Sequence, residues 1–281
     1  MRLGLTIFAT DQTMPLTDLA REAEARGFAS IYLPEHTHIP VSRCTPAPMG
    51  EPLPEEYKRT LDPFVALAMA AAVTERIHLG TGIALLAQRD PIVTAKAIAT
   101  LHSQTGGRFT FGVGYGWNRD EMEDHGVTYA RRRELVAEKM AMMRSLWHDE
   151  VAEYQGDELT LSPSWAWPKP LGSGPRVLLG GGAGPKLFSQ LALWADGWIP
   201  VGGSGLVEGI AAMRAAAEAA GRDPDDLEVV PFGSHPTPGK LDHFQANGVT
   251  ECVFRLPSAG RDEVLATLDE YAPFLAKYPD E

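Results

Sequence analysis

Short, nearly all-apolar segments alternate with helical ones eight times along this chain, and that alternation restricts its fold more than any other feature. Strands are expected at residues 3–8, 30–33, 77–80, 108–113, 176–179, 197–201, 227–231 and 249–255. Helical segments follow at about 17–27, 62–74, 90–103, 185–195, 204–220, 238–246 and 260–273, and 121–148 contains a long helix. Strands this apolar, separated by helices, form a parallel sheet covered on both faces. Eight strand–helix units in 281 residues fit a single closed (β/α)8 TIM barrel, an α/β fold spanning residues 1–281 as one domain. A doubly wound open sheet could also hold eight strands, so the count favours closure without proving it. Helix boundaries carry their own signals. Thr17 is a candidate N-cap with Gly27 as the stop, and Asp62-Pro63 and Asp90-Pro91 each place a cap before a proline at the first helical position.

Two segments exceed ordinary loop length: a proline-rich insertion after strand two (residues 35–61) and one after helix four (residues 150–175). The first leaves the C-terminal end of a strand, where barrel enzymes build their sites. The second starts at the opposite face and is long enough to wrap back. The net charge of −12 argues against a nucleic-acid partner. No apolar run approaches the length of a membrane span. Cys44 and Cys252 form no motif, so a cytoplasmic location with both thiols free is expected.

The strand ends carry the chemistry. The stretch FTFGVGYGWNRDE (109–121) lacks the third glycine of a dinucleotide fingerprint, Trp117 standing there, and has no Gly-Lys-Ser/Thr of a P-loop. Its glycines, Gly114 among them, either let a planar group approach the backbone or serve a tight turn, and Asn118 adds a donor and an acceptor at the rim. Thr81, Gly82 and Ile83 end strand three. LLGGGAGPK and PVGGSG put Gly181 and Gly182, and Gly202 and Gly203, at the starts of two successive helices. Such turns suit an anion, and the alternative is glycine used for close helix–strand packing. Glu35, His36 and His38 close strand two. A His-x-His pair can bind a metal, but strands five and six end in glycines and Val201, so no metal is expected and His36 reads as a hydrogen-bonding or proton-handling group.

Taken in order, Glu35-His36, LGTGIALLAQRDPIVTAKAIATLHSQTGGRF, GVGYGWNRDE, WPKP (167–170), LLGGG with ADGWIPVGG, and RDEVLATLDEYA resemble the bacterial luciferase-like family of flavin- and deazaflavin-dependent oxidoreductases, most closely its F420-dependent actinobacterial-type subgroup. The resemblance covers nearly the whole chain. It implies a tricyclic cofactor in the barrel mouth, F420 or alternatively FMN. It also implies a non-proline cis peptide at Gly82–Ile83, with His36 (and Glu35 beside it) as the catalytic candidate. Thr81, Gly82 and Ile83 would lie behind the ring, Gly114 and Asn118 would border the ring or the tail, and Gly181, Gly182, Gly202 and Gly203 would take the phosphate. The chain departs from many relatives in having no Ser, Thr or Lys immediately after strand six; Arg255 on strand eight is the one late cation whose direction matters.

The expected activity is hydride transfer between reduced F420 and a small organic substrate, in a homodimer. An FMN-dependent monooxygenase using oxygen is the alternative. From other classes, a metal-dependent barrel hydrolase and a barrel that binds a ligand without catalysis remain open.

Overall fold

The strands fall where the alternation predicts, and the structure, a computed structural model describing residues 1–279, joins them into a ring. They are β1 (Arg2–Thr6), β2 (Ser30–Leu33), β3 (His78–Thr81), β4 (Ala84–Leu85), β5 (Phe109–Gly114), β6 (Ala152–Gln155), β7 (Thr160–Ser164), β8 (Arg176–Gly180), β9 (Gly197–Ile199), β10 (Glu228–Val229), β11 (Phe232–Ser234) and β12 (Glu251–Arg255). The helices are α1 (Leu16–Arg26), α2 (Pro63–Ala71), α3 (Pro91–Gln104), α4 (Arg119–Asp124), α5 (Arg132–His148), α6 (Pro185–Trp194), α7 (Leu206–Ala219), α8 (Pro238–Ala246) and α9 (Arg261–Lys277).

All barrel pairings are parallel, in the order β10-β9-β8-β5-β3-β2-β1-β12-β11. The ring closes through the seventh strand, which is broken. Its first part, β10, pairs with β9, and its second, β11, pairs with β12. Pro231 stands at the break, where its missing N–H costs no ladder bond, and its carbonyl accepts from Val253 N. Alternate strand residues fill two cores. The larger lies between sheet and helices; the smaller fills the barrel with Tyr32, Leu178, Ile199, Val230, Phe232 and Val253.

The structure corrects one expectation and sharpens others. The long helix expected within 121–148 is α5, and the short α4 before it is set apart by Gly126, which turns at φ 73°. Thr17 does not cap α1: Pro15 occupies the N-cap position, with no side-chain bond there. Asp62 and Asp90, in contrast, do cap α2 and α3. The 150–175 insertion is ordered and carries the β6–β7 antiparallel hairpin. From the C-terminal end of α5 the hairpin turns back along that helix, and Glu158 pairs with Arg131, just before the helix starts, at 2.6 Å. Glu138 of α5 accepts from the amides of Asp157, Glu158 and Leu159, and Lys96 of α3 donates to Trp167 O, so it lies along the outer helices.

Candidate active site

His36 stands just past the C-terminal end of β2, 9% exposed, against the rings of Tyr57 and Trp117, with centroids 5.3 and 5.7 Å away. Its Nδ1 lies 2.7 Å from Glu121 Oε2. Glu121 is fully buried, and its other oxygen accepts from Thr37 N at 3.1 Å and Gln88 Nε2 at 3.2 Å. Burial pushes the Glu121 carboxyl up, yet His36, Gln88 and Thr37 outweigh it and leave it below its ordinary range. An ionised Glu121 assigns the proton to His36 Nδ1 and leaves Nε2 as the ring's exchangeable nitrogen.

Glu35, although next in sequence, is directed elsewhere. It is 3% exposed; Oε2 accepts from Leu85 N at 2.7 Å and Oε1 from Arg89 Nε at 2.6 Å. Both oxygens are occupied by the turn after β4, which gives Glu35 a positioning role and leaves the partnership with His36 to Glu121. Buried Lys139 secures the same turn, donating to Ala87 O and Arg89 O at 2.7 Å each.

The 35–61 insertion is a strap over the mouth. Tyr57, in a 3-10 turn at Glu55–Lys58, packs on Phe8 with centroids 4.6 Å apart. Arg255 NH2 reaches Glu56 at 3.1 Å, so this late cation holds the strap. On the other side α4 works as a clasp. Asp120 accepts from the amides of Cys44 and Thr45 and from the Thr45 hydroxyl, which holds its carboxyl down at about 2. Asp124 meets His38 at 3.0 Å. His38 therefore bonds Asp124 and Thr37, and no cluster of three metal-ligating side chains occurs among the described residues.

The glycines divide into two groups. A Cβ on Gly82 would lie 2.2 Å from Phe232, one on Gly114 2.5 Å from Ile83, and one on Gly112 2.0 Å from Thr81 O. These positions serve close packing: Gly82 seats Phe232, and Gly114 with Gly180 seats Ile83, so the two side chains form the floor of the mouth. The Gly82–Ile83 peptide is cis. Thr81 is fully buried, and its hydroxyl donates to Gly112 O at 2.6 Å within the wall. Thr81, Gly82 and Gly114 thus support the residues that make the floor.

The later turns differ. Gly181 N donates to Ile199 O and Gly202 N to Phe232 O, so those two amides belong to the barrel. The N–H groups of Gly182, Ala183, Gly184, Gly203, Ser204 and Gly205 meet no protein acceptor among the described residues. A Cβ on Gly182 or Gly202 would touch nothing within 4 Å, whereas Gly203 abuts Phe244. The two open turns precede α6 and α7, both capped by a glycine without a side-chain bond. Paired helix N-termini with unused amides form a cradle for a phosphate. Asn118 is 2% exposed; Nδ2 faces Glu121 at 3.5 Å while buried Oδ1 has no partner. Open amides, an apolar floor and this orphan acceptor fit a planar cofactor with a phosphate-bearing tail.

Sequence reasoning missed Glu121 and Tyr57. The acidic run after Asn118 was the available signal for the first; nothing local marked the second.

The profile of the family described as luciferase-like monooxygenase matches residues 7–237. An uncharacterized protein of Mycobacterium tuberculosis is 42% identical over 280 residues, covering 98% of this chain and 99% of that protein. Among solved structures, an F420-dependent secondary alcohol dehydrogenase in complex with an F420-acetone adduct superposes with a TM-score of 0.78 at 18% identity, over 99% of both chains. A monooxygenase from Streptomyces bottropensis does so with a TM-score of 0.77 at 19% identity, again over 99% of both.

Proposed function

The chain belongs to the luciferase-like monooxygenase family, an assignment of oxidoreductase type, and on that premise we propose that it transfers hydride between F420 and a small organic substrate. One observation carries the choice of cofactor. The cradle at residues 180–185 and 200–207 contains no charged side chain; its donors are backbone amides and the Ser204 hydroxyl. F420 bears a phosphodiester with a single negative charge, whereas the FMN phosphomonoester carries nearly two and gains more from a fixed cation. Neutral donors suit the first.

When bound, the deazaflavin supplies the hydride chemistry, and the protein supplies orientation, shielding and a proton. Ile83 and Phe232 back the mouth with apolar surface. The strap, pinned by Asp120 and Arg255, keeps water from the reacting face. His36 delivers or accepts the substrate oxygen's proton at Nε2, while Glu121 holds the ring and balances its charge. The likeness to a secondary alcohol dehydrogenase at the level of the fold agrees with an alcohol–carbonyl interconversion.

The second reading, an FMN-dependent monooxygenase using oxygen, has support in the family description and in the Streptomyces monooxygenase. Titrating the purified protein with each coenzyme separates the two. F420 should bind at least ten times more tightly than FMN. Gly182→Asp should weaken F420 about 10- to 100-fold: at ~6 Å, an effective dielectric of 20 to 40 gives roughly 1.4–2.8 kcal/mol of repulsion. Tighter FMN binding would establish the second reading, and failure to bind either coenzyme would remove both.

A further inference from the structure

Beside the phosphate cradle, on the outer side of the α6 N-terminus, lies a cavity of about 520 Å³ lined by Ala130, Arg132, Arg133, Glu134, Lys186, Ser189 and Gln190. Three cations and one anion give it a local charge of +2, in a chain whose net charge is −12. Other cations have partners of one kind or another: Arg2, Arg89, Arg176 and Arg255 sit against carboxylates, and Arg108, Lys139 and Arg222 donate to backbone carbonyls. Among the described residues Arg132, Arg133 and Lys186 form no ion pair with a carboxylate, Arg133 and Lys186 donate no side-chain hydrogen bond, and Arg132 reaches only Tyr129 O, at 2.7 Å. Their neighbourhood also holds unsatisfied polar atoms. Arg132 Nε and Arg133 Nε are buried without a partner. So is the hydroxyl of Tyr115, a residue only 7% exposed whose ring lies 5.2 Å from the Arg133 guanidinium.

Unpaired guanidinium and ammonium groups around a cavity call for anionic ligands, and planar guanidinium forks match carboxylates. Lys186 is the second residue of α6, two positions after Gly184 closes the cradle. Lys186 therefore sets one wall of this cavity next to the cradle. We propose that Arg132, Arg133 and Lys186 form a carboxylate-binding subsite for the acidic extension of the cofactor beyond its phosphate. This rests on the deazaflavin reading, since F420 continues past its phosphate into a lactyl-oligoglutamate chain and FMN ends there. The uncharged cradle and the charged cavity then divide the work: amides take the phosphodiester, and cations take the glutamates.

The test is binding to the purified protein of three ligands: long-tailed F420 carrying five or more glutamates, F420 trimmed to its phospholactate, and FMN. The wild-type protein should bind the long-tailed form at least tenfold more tightly than the trimmed one. That advantage should shrink as salt is raised from 50 to 500 mM, as screening of partly exposed charges requires. In Arg133→Gln/Lys186→Gln the advantage should vanish, with affinity for trimmed F420 kept within twofold. Equal wild-type affinity for long and trimmed F420 overturns the subsite and leaves the cofactor reading standing, as does a double variant that loses both alike. Binding of neither F420 form overturns the cofactor reading and the subsite together. The salt dependence uses the wild-type protein alone, so it decides the matter even if the variant fails to fold.

Discussion

Replacing Glu251 with Gln tests the polar floor on which the barrel stands. At the N-terminal ends of the strands, opposite the mouth, Glu251 is 1% exposed and accepts from Arg176 NH2 at 2.8 Å, Tyr32 OH at 3.3 Å, Arg2 Nε at 3.4 Å and the Ser30 hydroxyl. Arg2 and Arg176 also share Glu228, at 2.6 and 2.7 Å. Two cations and two anions cancel; Glu251→Gln leaves one buried positive charge in excess. Breaking such a pair costs about 3–5 kcal/mol. With an unfolding entropy of about 2.1 cal/mol/K per residue over 281 residues, or ~0.6 kcal/mol/K in all, the melting temperature should fall by roughly 5–8 °C at pH 7. The pH dependence has a definite sign. Burial raises the Glu251 carboxyl, but Arg176 and Arg2, then Ser30, outweigh it and hold it below its ordinary value of 4.5. A depressed carboxyl stabilises above that ordinary value and loses its contribution as pH falls through the lower, folded one. The gap between wild type and variant should therefore be complete at pH 7 and narrow below about pH 4.5. Differential scanning calorimetry at pH 7 and pH 4 reads both. A drop under 2 °C at pH 7, or a gap that does not narrow in acid, would refute the reasoning.

Two other outcomes follow from the geometry. His36→Ala should lower turnover about 10²-fold or more with coenzyme affinity changed less than threefold, and Glu121→Gln should do the same by removing the acceptor that orients the ring; equal losses of turnover and affinity in stopped-flow and binding measurements would point to a packing role instead. The outer face of α2 and α3 exposes Val65 (63%), Met69 (58%), Ile92 (46%) and Val93 (68%) with no acidic side chain between Asp62 and Glu75, which is where a second copy of so acidic a chain can approach without repulsion. Sedimentation should find a dimer that Met69→Glu converts to a monomer, and an unchanged dimer would place the interface elsewhere.

Much of this architecture is local and therefore readable from residue order. The period of apolar runs announces buried parallel strands, Asp-Pro announces the starts of α2 and α3, and glycines after β8 and β9 announce open helix N-termini, because each signal acts over a few consecutive residues. Closure of the sheet is not local: the seventh strand must break at Pro231 so that each half can pair with a different neighbour. The partner of His36 is not local either. Glu35 adjoins it along the chain, but successive residues leaving a strand point to opposite sides, and Glu35 turns to Arg89. Glu121, 85 positions away, reaches the ring only because β2 and β5 end on the same rim. The glycines make the same point. In sequence Gly114 and Gly182 look equivalent, one residue type in two rim turns. Only the packed barrel sets them apart, filling the space above the first with Ile83 and leaving the second, with its amide, open.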